Sequence, residues 1–338
     1  MMATIHFLNV RRGDCSVIQH GSGRVTMIDI CNGKSAARRA YIETALQLLG
    51  RPRLTGIGKL SGDFGMREHP TDPVAYLQNL GVRNVFRFIL SHPDMDHLDG
   101  FRALCDEVGV QNFWDSGVRK AKPAFAGGHF NEEDWDHYVK VRDGRAGVTV
   151  VTPLADSRFQ FANRGDPADG GDYLSIVGPD ASLVQAANQS GDVNDGSYII
   201  VYRSCAGRFV FPGDAHDKTW EYVLAHHEDI VRDCAVLIAP HHGRASGRSY
   251  EFLDVLNPGL TLFGCADSED LAYDAWNRRD LFHLTNNQAG NIVLQPRSAG
   301  IEVFVENTRF GQSFDTFDAT TVSNGCSFIG QVPKPLAV

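Results

Sequence analysis

The chain has 338 residues, with 32 Lys and Arg against 41 Asp and Glu, and a formal net charge of −9. Its 43% hydrophobic and 22% charged content is that of a folded protein, which excludes a disordered tail protein, a collagen-like repeat and a disulfide miniprotein. The acidic balance argues against a non-specific nucleic-acid coat, because phosphate binding draws on clustered Lys and Arg, yet it leaves room for an enzyme with a local basic patch. The seven cysteines are odd in number and never spaced as CxxC, so they read as reduced thiols and point to the cytoplasm. The N-terminus shows no basic leader before an apolar stretch, and no run approaches the roughly 20 apolar residues that span a bilayer.

In chain order, IHFLNV, SVIQH and VTMIDI predict a meander of short strands, punctuated by RRGD and GSG turns. Residues 35–50 predict an amphipathic helix ended by Gly50, and 51–71 an exposed loop. Lys34, Arg38, Arg39, Arg51, Arg53 and Lys59 against Glu43 give a local charge of +5, the pattern of a solvated face. A short helix near 73–80 leads into the strand VFRFIL, followed by a helix at FRALCDEVG and a strand at NFWD. Residues 116–170 are richer in Gly and charge and too poor in apolar residues for a core of their own. They predict an irregular insertion that shapes the substrate entrance, with Trp114 and Trp135 either stacking a base or, as the favoured reading, anchoring the insertion. Strands and helices then alternate through YLSIVGP, SYIIVYRS, RFVFPGDA, a helix at about 216–227, CAVLIAP, a helix near 249–256 and LTLFGC, and NIVLQPRSAGIEVFVE closes as a hairpin. Two packed sheets with helices outside are expected, in a single domain over 1–338.

Three apolar strands each end in residues that bind metals. His92, Asp94, Asp96 and His97 lie within six positions after VFRFIL, in SHPDMDHLDG. FVFPGD delivers the lone carboxylate of Asp214, and AVLIAPHHG ends in His241 and His242. Imidazole and carboxylate are ligands of Zn, Fe and Mn, and loops at strand ends can aim them at one point.

With these motifs in order, the chain resembles the metallo-β-lactamase fold superfamily, and most of all its ComEC-like metallo-hydrolases. NVRRGDC looks like the opening strand and turn, and MIDI like the strand bearing the early aspartate, here Asp29. SHPDMDHLDG stands where HxHxDH belongs, DVNDGS matches the Asn- and Ser-containing stretch, and FPGDA and APHHGRASG match the last two metal segments. The resemblance implies an αββα sandwich of two mixed sheets and two divalent ions, Zn or Mn with Mg as a third option. The implied ligands are His92, Asp94, Asp96, His97, Asp214 as the bridge, and His241, with the choice between His241 and His242 open. Asp94 replaces the second histidine of the motif, and the third-segment histidine is missing, with Asn194 or Asp195 nearest its place; fewer imidazoles and more oxygen shift preference toward Mn or Mg.

Such a pair of ions, about 3.5–4 Å apart, would activate a hydroxide. Asp96 would orient that water, and His242, if not a ligand, would stabilise the oxyanion or protonate the leaving group. Arg244 and Arg248 beside HHG suit phosphate oxygens, and His283 and Thr285 fall near the expected mouth of the site. The leading expectation is a phosphodiesterase or nuclease acting on nucleic acid or a nucleotide-like substrate. Hydrolysis of an ester, thioester or lactam is the second, and a catalytically degenerate metal- or partner-binding protein the third.

Overall fold

The strand-forming runs assemble into two sheets in the computed structural model, which describes residues 3–40, 64–164, 171–266 and 270–334. The helix expected at 35–50 and the loop at 51–71 therefore lie largely outside the described residues, as does part of the basic stretch at 34–60. In chain order the strands are β1 (Thr4–Phe7), β2 (Ser16–Gln19), β3 (Val25–Ile28), β4 (Val85–Leu90), β5 (Val110–Asp115), β6 (Thr149–Val151), β7 (Leu174–Gly178) and β8 (Ile199–Ser204). They continue as β9 (Gly207–Phe211), β10 (Val236–Ile238), β11 (Leu260–Phe263), β12 (His283–Thr285), β13 (Ile292–Arg297), β14 (Gly300–Val305), β15 (Asp318–Ser323) and β16 (Cys326–Pro333).

Ten of them form one sheet in the order β15-β16-β14-β13-β1-β2-β3-β4-β5-β6, and six form the other in the order β12-β11-β10-β9-β8-β7. Both sheets are mixed. β3 to β6 run parallel, as do β9 to β12, whereas the flanking pairs are antiparallel. Parallel neighbours need crossover connections, and the helices supply them on the outer faces.

The layering follows from the two-residue period of the strands. Ile89 of β4, and Val236 and Ile238 of β10, point into the apolar cluster between the sheets, together with Ile5, Phe7, Phe209 and Leu262. Their neighbours point outward: Phe88 and Leu90 meet Val74 and Leu77 of helix Pro73–Asn79 and Phe101 and Leu104 of helix Phe101–Glu107. On the other face Leu237 meets Trp220 and Val223 of helix Asp217–His226 and Trp276 of helix Tyr273–Asn277. The architecture is an αββα sandwich.

The 116–170 segment packs onto this frame. Its helix Glu132–Arg142 buries Trp135, Tyr138 and Val141 against the outer face of the ten-stranded sheet, and Trp114 lies in the inter-sheet core. Neither tryptophan is available to stack on a ligand, since both are only 3% exposed. The seven cysteines are unpaired, and all but Cys105 and Cys205 are buried. Among the described residues no helix is long and apolar enough to cross a membrane.

Candidate metal centre

The three ligand-bearing segments follow the carboxyl ends of β4 in the ten-stranded sheet and of the neighbouring parallel strands β9 and β10 in the six-stranded sheet, and they meet at one edge of the sandwich. β4 stops at Leu90, and a 3-10 turn at Met95–His97 brings His92, Asp96 and His97 round to one side. β9 hands over to Pro212-Gly213-Asp214. Gly213 has φ +52, and a Cβ there would lie 2.5 Å from the Ser91 Cβ, so only glycine lets the two loops approach. β10 hands over to Pro240–Gly243, in which both His241 (φ 53) and His242 (φ 59) adopt the left-handed conformation. Backbone strain of that kind in two consecutive side-chain-bearing residues is characteristic of functional sites. The opening RRGD turn closes the ring. Gly13 has φ +71, and a Cβ there would collide with the Asp96 carbonyl.

Asp214, 3% exposed, is the hub. Its Oδ1 lies 3.2 Å from His97 Nε2, and its Oδ2 lies 3.8, 3.6 and 3.7 Å from the Nε2 atoms of His92, His241 and His242. Asp96 Oδ2 is 3.3 Å from His242 Nε2. Three groups of residues offer ligand atoms within 4.8 Å of one another here: His92, His97 and Asp214; Asp96, His97 and His242; and Asp14, Asp214 and His242.

The residues present fit a metal on an independent ground. His92 Nε2, His97 Nε2 and Asp214 Oδ1 are buried polar atoms without a hydrogen-bond partner, and they belong to one of those groups. Buried polar groups are normally paired, so three such atoms converging on one point make this cluster a candidate metal site. Mixed nitrogen and oxygen donors are compatible with several divalent ions, Fe as well as Zn and Mn.

The electrostatics agree. Burial would lift the Asp214 carboxyl, but the imidazoles of His242, His97 and His92 outweigh it and hold it well below the usual range. Burial would lower His242, yet Asp214 and Asp14 overcome that and push it up to about 10. His97 is raised likewise by Asp214 and Asp29. His241 goes the other way, to about 4, because burial and the nearby His242, Arg248 and His216 exceed the pull of Asp214.

The partners behind each imidazole differ. Asp29 Oδ2 is 2.8 Å from His97 Nδ1, and Asp14 Oδ1 is 3.1 Å from His242 Nδ1. A carboxylate only accepts, so His97 keeps a proton on Nδ1, and the proton that must leave before a metal can bind is the one on Nε2, which faces the centre; Asp14 supports the charged form of His242 as an ion pair. For His241 the order is reversed. Arg248 Nη2, which only donates, is 2.8 Å from its Nδ1, so the proton of this ring sits on Nε2.

Other residues singled out in the sequence lie as follows. Asp94 precedes the 3-10 turn without capping it, with Oδ2 3.8 Å from His92 Nε2 and Oδ1 paired with Lys120. Arg248 is buried, its guanidinium spent on the Ala215 carbonyl, Ser246 and His241. Thr285 is buried and caps helix Asn286–Ala289, and His283 packs on Phe263 and Tyr273. Among the described residues neither hydrogen-bonds to the cluster.

Asn194 Nδ2 is 3.2 Å from His216 Nε2, and the His216 ring lies 6.1 Å from that of His241. The imidazole missing from the third segment thus has a neighbour in the fourth, two positions after Asp214, which the sequence reading passed over. It also missed the cleft. About 450 Å³ opens over Asp96 and His242 between Arg11, Arg12, Arg67, Glu68 and Arg244. Arg11 and Arg67 lie 4.0 and 3.4 Å from Glu68, and Arg244 lies 3.9 Å from Asp270. Arg12 has no ion pair among the described residues. Its signal was RRGD itself, two arginines in the turn that packs on Asp96.

No family model and no curated protein matches the chain. Among solved structures it is similar to Igni18, a metallo hydrolase from the hyperthermophilic archaeon Ignicoccus hospitalis, at 10% identity and a TM-score of 0.46, over 87% of this chain and 100% of that one. It is also similar to CmlA, a diiron β-hydroxylase from Streptomyces venezuelae, at 10% identity and a TM-score of 0.45. That match covers 87% of this chain, which spans 54% of the CmlA chain. A diphosphatase from the PhnP family matches at 12% identity and a TM-score of 0.38, over 83% of this chain and 94% of that one.

Proposed function

We propose that the chain is a binuclear metal-dependent hydrolase of the metallo-β-lactamase type that cleaves a phosphodiester. The observation that carries this reading is the convergence of orphaned His92, His97 and Asp214 atoms beneath an arginine-rimmed cleft. When bound, a pair of divalent ions would supply water activation and neutralise charge on the attacked group. His92, His97, Asp96, His242 and Asp214 would hold the ions; Asp29 fixes the ring of His97, and Asp14 lies 3.1 Å from His242 Nδ1.

His241 and His242 then exchange the roles expected from sequence. His242, buried and backed by a carboxylate, is the ligand. His241 stays neutral near pH 7, and its Nε2–H donates a hydrogen bond to a substrate oxygen as charge develops there. Arg248 is a positioning residue that keeps that proton on Nε2. Arg12 and Arg244 neutralise the anionic substrate, which favours phosphodiester over carbon ester, thioester or lactam.

The test is a chromogenic panel on Mn- and Zn-loaded protein. Turnover of bis(p-nitrophenyl) phosphate that is lost on chelation is expected. Turnover only of thioester or lactam substrates would overturn the phosphodiester reading, and tight metal binding without any turnover would establish the degenerate one.

A further inference from the structure

A second cavity, of about 340 Å³, adjoins the arginine cleft and is built by the insertion. The stretch from Pro123 to Phe130 folds over Pro93–Asp96, and Met95, Phe125 and Phe130 line the space between them. Phe125 and Phe130 are half-buried and lean on the outer core, so their remaining surface faces this space. Its ionisable groups besides Asp96 are His129 and the ion pair of Asp94 with Lys120. The wall is pinned from behind, by Asn131 N on Asp99 Oδ1 at 3.1 Å and by Lys122 on Glu132 and Asp136, both at 2.7 Å.

Asp96 and Phe130 line both cavities. The two compartments therefore meet at the carboxylate that faces the metal centre. One is cationic, four arginines against Glu68 and Asp96; the other is more apolar and carries two aromatic rings, with Lys120 against Asp94 and the shared Asp96, and His129 on its wall. Each falls within the roughly 300–1,000 Å³ of small-molecule sites. A ligand matching both has phosphate at one end and a flat uncharged ring at the other.

We propose that the insertion forms a subsite for the base of a nucleotide, stacked on Phe125 and Phe130, while Arg12 and its neighbours hold the phosphates and Asp96 marks the junction. The base subsite rests on the phosphodiester reading only for which bond breaks, not for what binds.

Binding, not turnover, tests it. Metal-loaded protein is titrated with a nucleoside 3′,5′-bisphosphate, which contains no diester, with propane-1,3-diol bisphosphate, which lacks the ring, and with the free nucleoside. The nucleotide is expected to bind about tenfold more tightly than the ring-free bisphosphate, the scale of one base stacked on an aromatic. Phe125→Leu, which keeps apolar bulk in the wall, and Phe125→Ala should both erase that advantage and leave the ring-free compound unchanged. Arg12→Gln should weaken both bisphosphates about tenfold and the nucleoside not at all. Equal affinity for both bisphosphates, or a loss of both in the Phe125 variants, would overturn the subsite. Absence of diester turnover with this binding pattern intact would overturn the phosphodiesterase reading alone.

Discussion

One carboxylate, that of Asp29, ties the HxHxDH-like loop to the strand beneath it: Oδ2 lies 2.8 Å from His97 Nδ1, and Oδ1 accepts the Ser91 amide at 2.7 Å. Asp29 has φ 58, a left-handed conformation that Asp tolerates better than most residues. A partner of this kind orients a ligand ring and raises its basicity, and its loss typically costs ten- to a hundredfold in metal affinity. Asp29→Ala is therefore expected to weaken metal binding by about that factor, read by competition with a chromogenic chelator. Unchanged affinity would show that His97 needs no support.

The paired histidines separate by the same reasoning. His242→Ala should lower metal content, because it removes a ring whose Nε2 lies 3.3 Å from Asp96 and 3.7 Å from Asp214. His241→Gln should keep full metal content while kcat falls by about 10²–10³, the usual loss for one donor to a developing charge. Metal loss in the His241 variant with normal metal in the His242 variant would restore the assignment expected from sequence.

Metal binding should release protons. In the metal-free protein His242 is pushed up to about 10 and His97 is also raised, so both rings are charged at neutral pH. A ligand imidazole must be neutral, so affinity should climb as pH rises toward 10. Calorimetry at pH 7 in two buffers of different ionisation enthalpy should show a net release, and identical heats in both would contradict it.

Most of the frame was legible because the strands are continuous apolar runs ended by turn residues. VFRFIL, for instance, forms Val85–Leu90 as read. The C-terminal hairpin was not anticipated, although Asn324 and Gly325, both at positive φ, are the pair such turns favour. Helix Ala181–Ser190 was missed as well, with its cap Asp180 accepting from the Leu183 amide. At the site, the residues that converge were visible as candidates because each of three strand-end segments carries its own. The arginine cleft and the phenylalanine wall were not, since Arg12, Arg67, Phe130 and Arg244 converge only through tertiary contacts. Arg248 shows the same limit: in sequence a guanidinium beside HHG looks free for substrate, and in the fold its Nε, Nη1 and Nη2 each already bond within the protein.

Asp214→Asn should be the most damaging single change to function, and its effect on stability should depend on pH. The amide keeps the size of the side chain but not the charge that lies within 4 Å of four imidazoles, the farthest at 3.8 Å. With the bridge weakened, metal content should fall below two per chain and hydrolysis to background. In the metal-free protein the charged rings of His97 and His242 lose their counter-charge. Groups with raised pKa values contribute stability in full below their ordinary value near 6.5, and lose it as pH rises through the folded value, about 10 for His242. Asp214, held low, contributes above the ordinary carboxylate value near 3.9 and loses its share as pH falls further. The two windows overlap at neutral pH, where carboxylate and imidazolium are both present. The variant should therefore melt well below wild type at pH 7, with a narrower gap above pH 10, where His242 has lost its charge. Equal melting-point differences at both pH values would mean that packing, not charge, links Asp214 to the fold, and near-normal turnover with two metals bound would mean that another carboxylate bridges them.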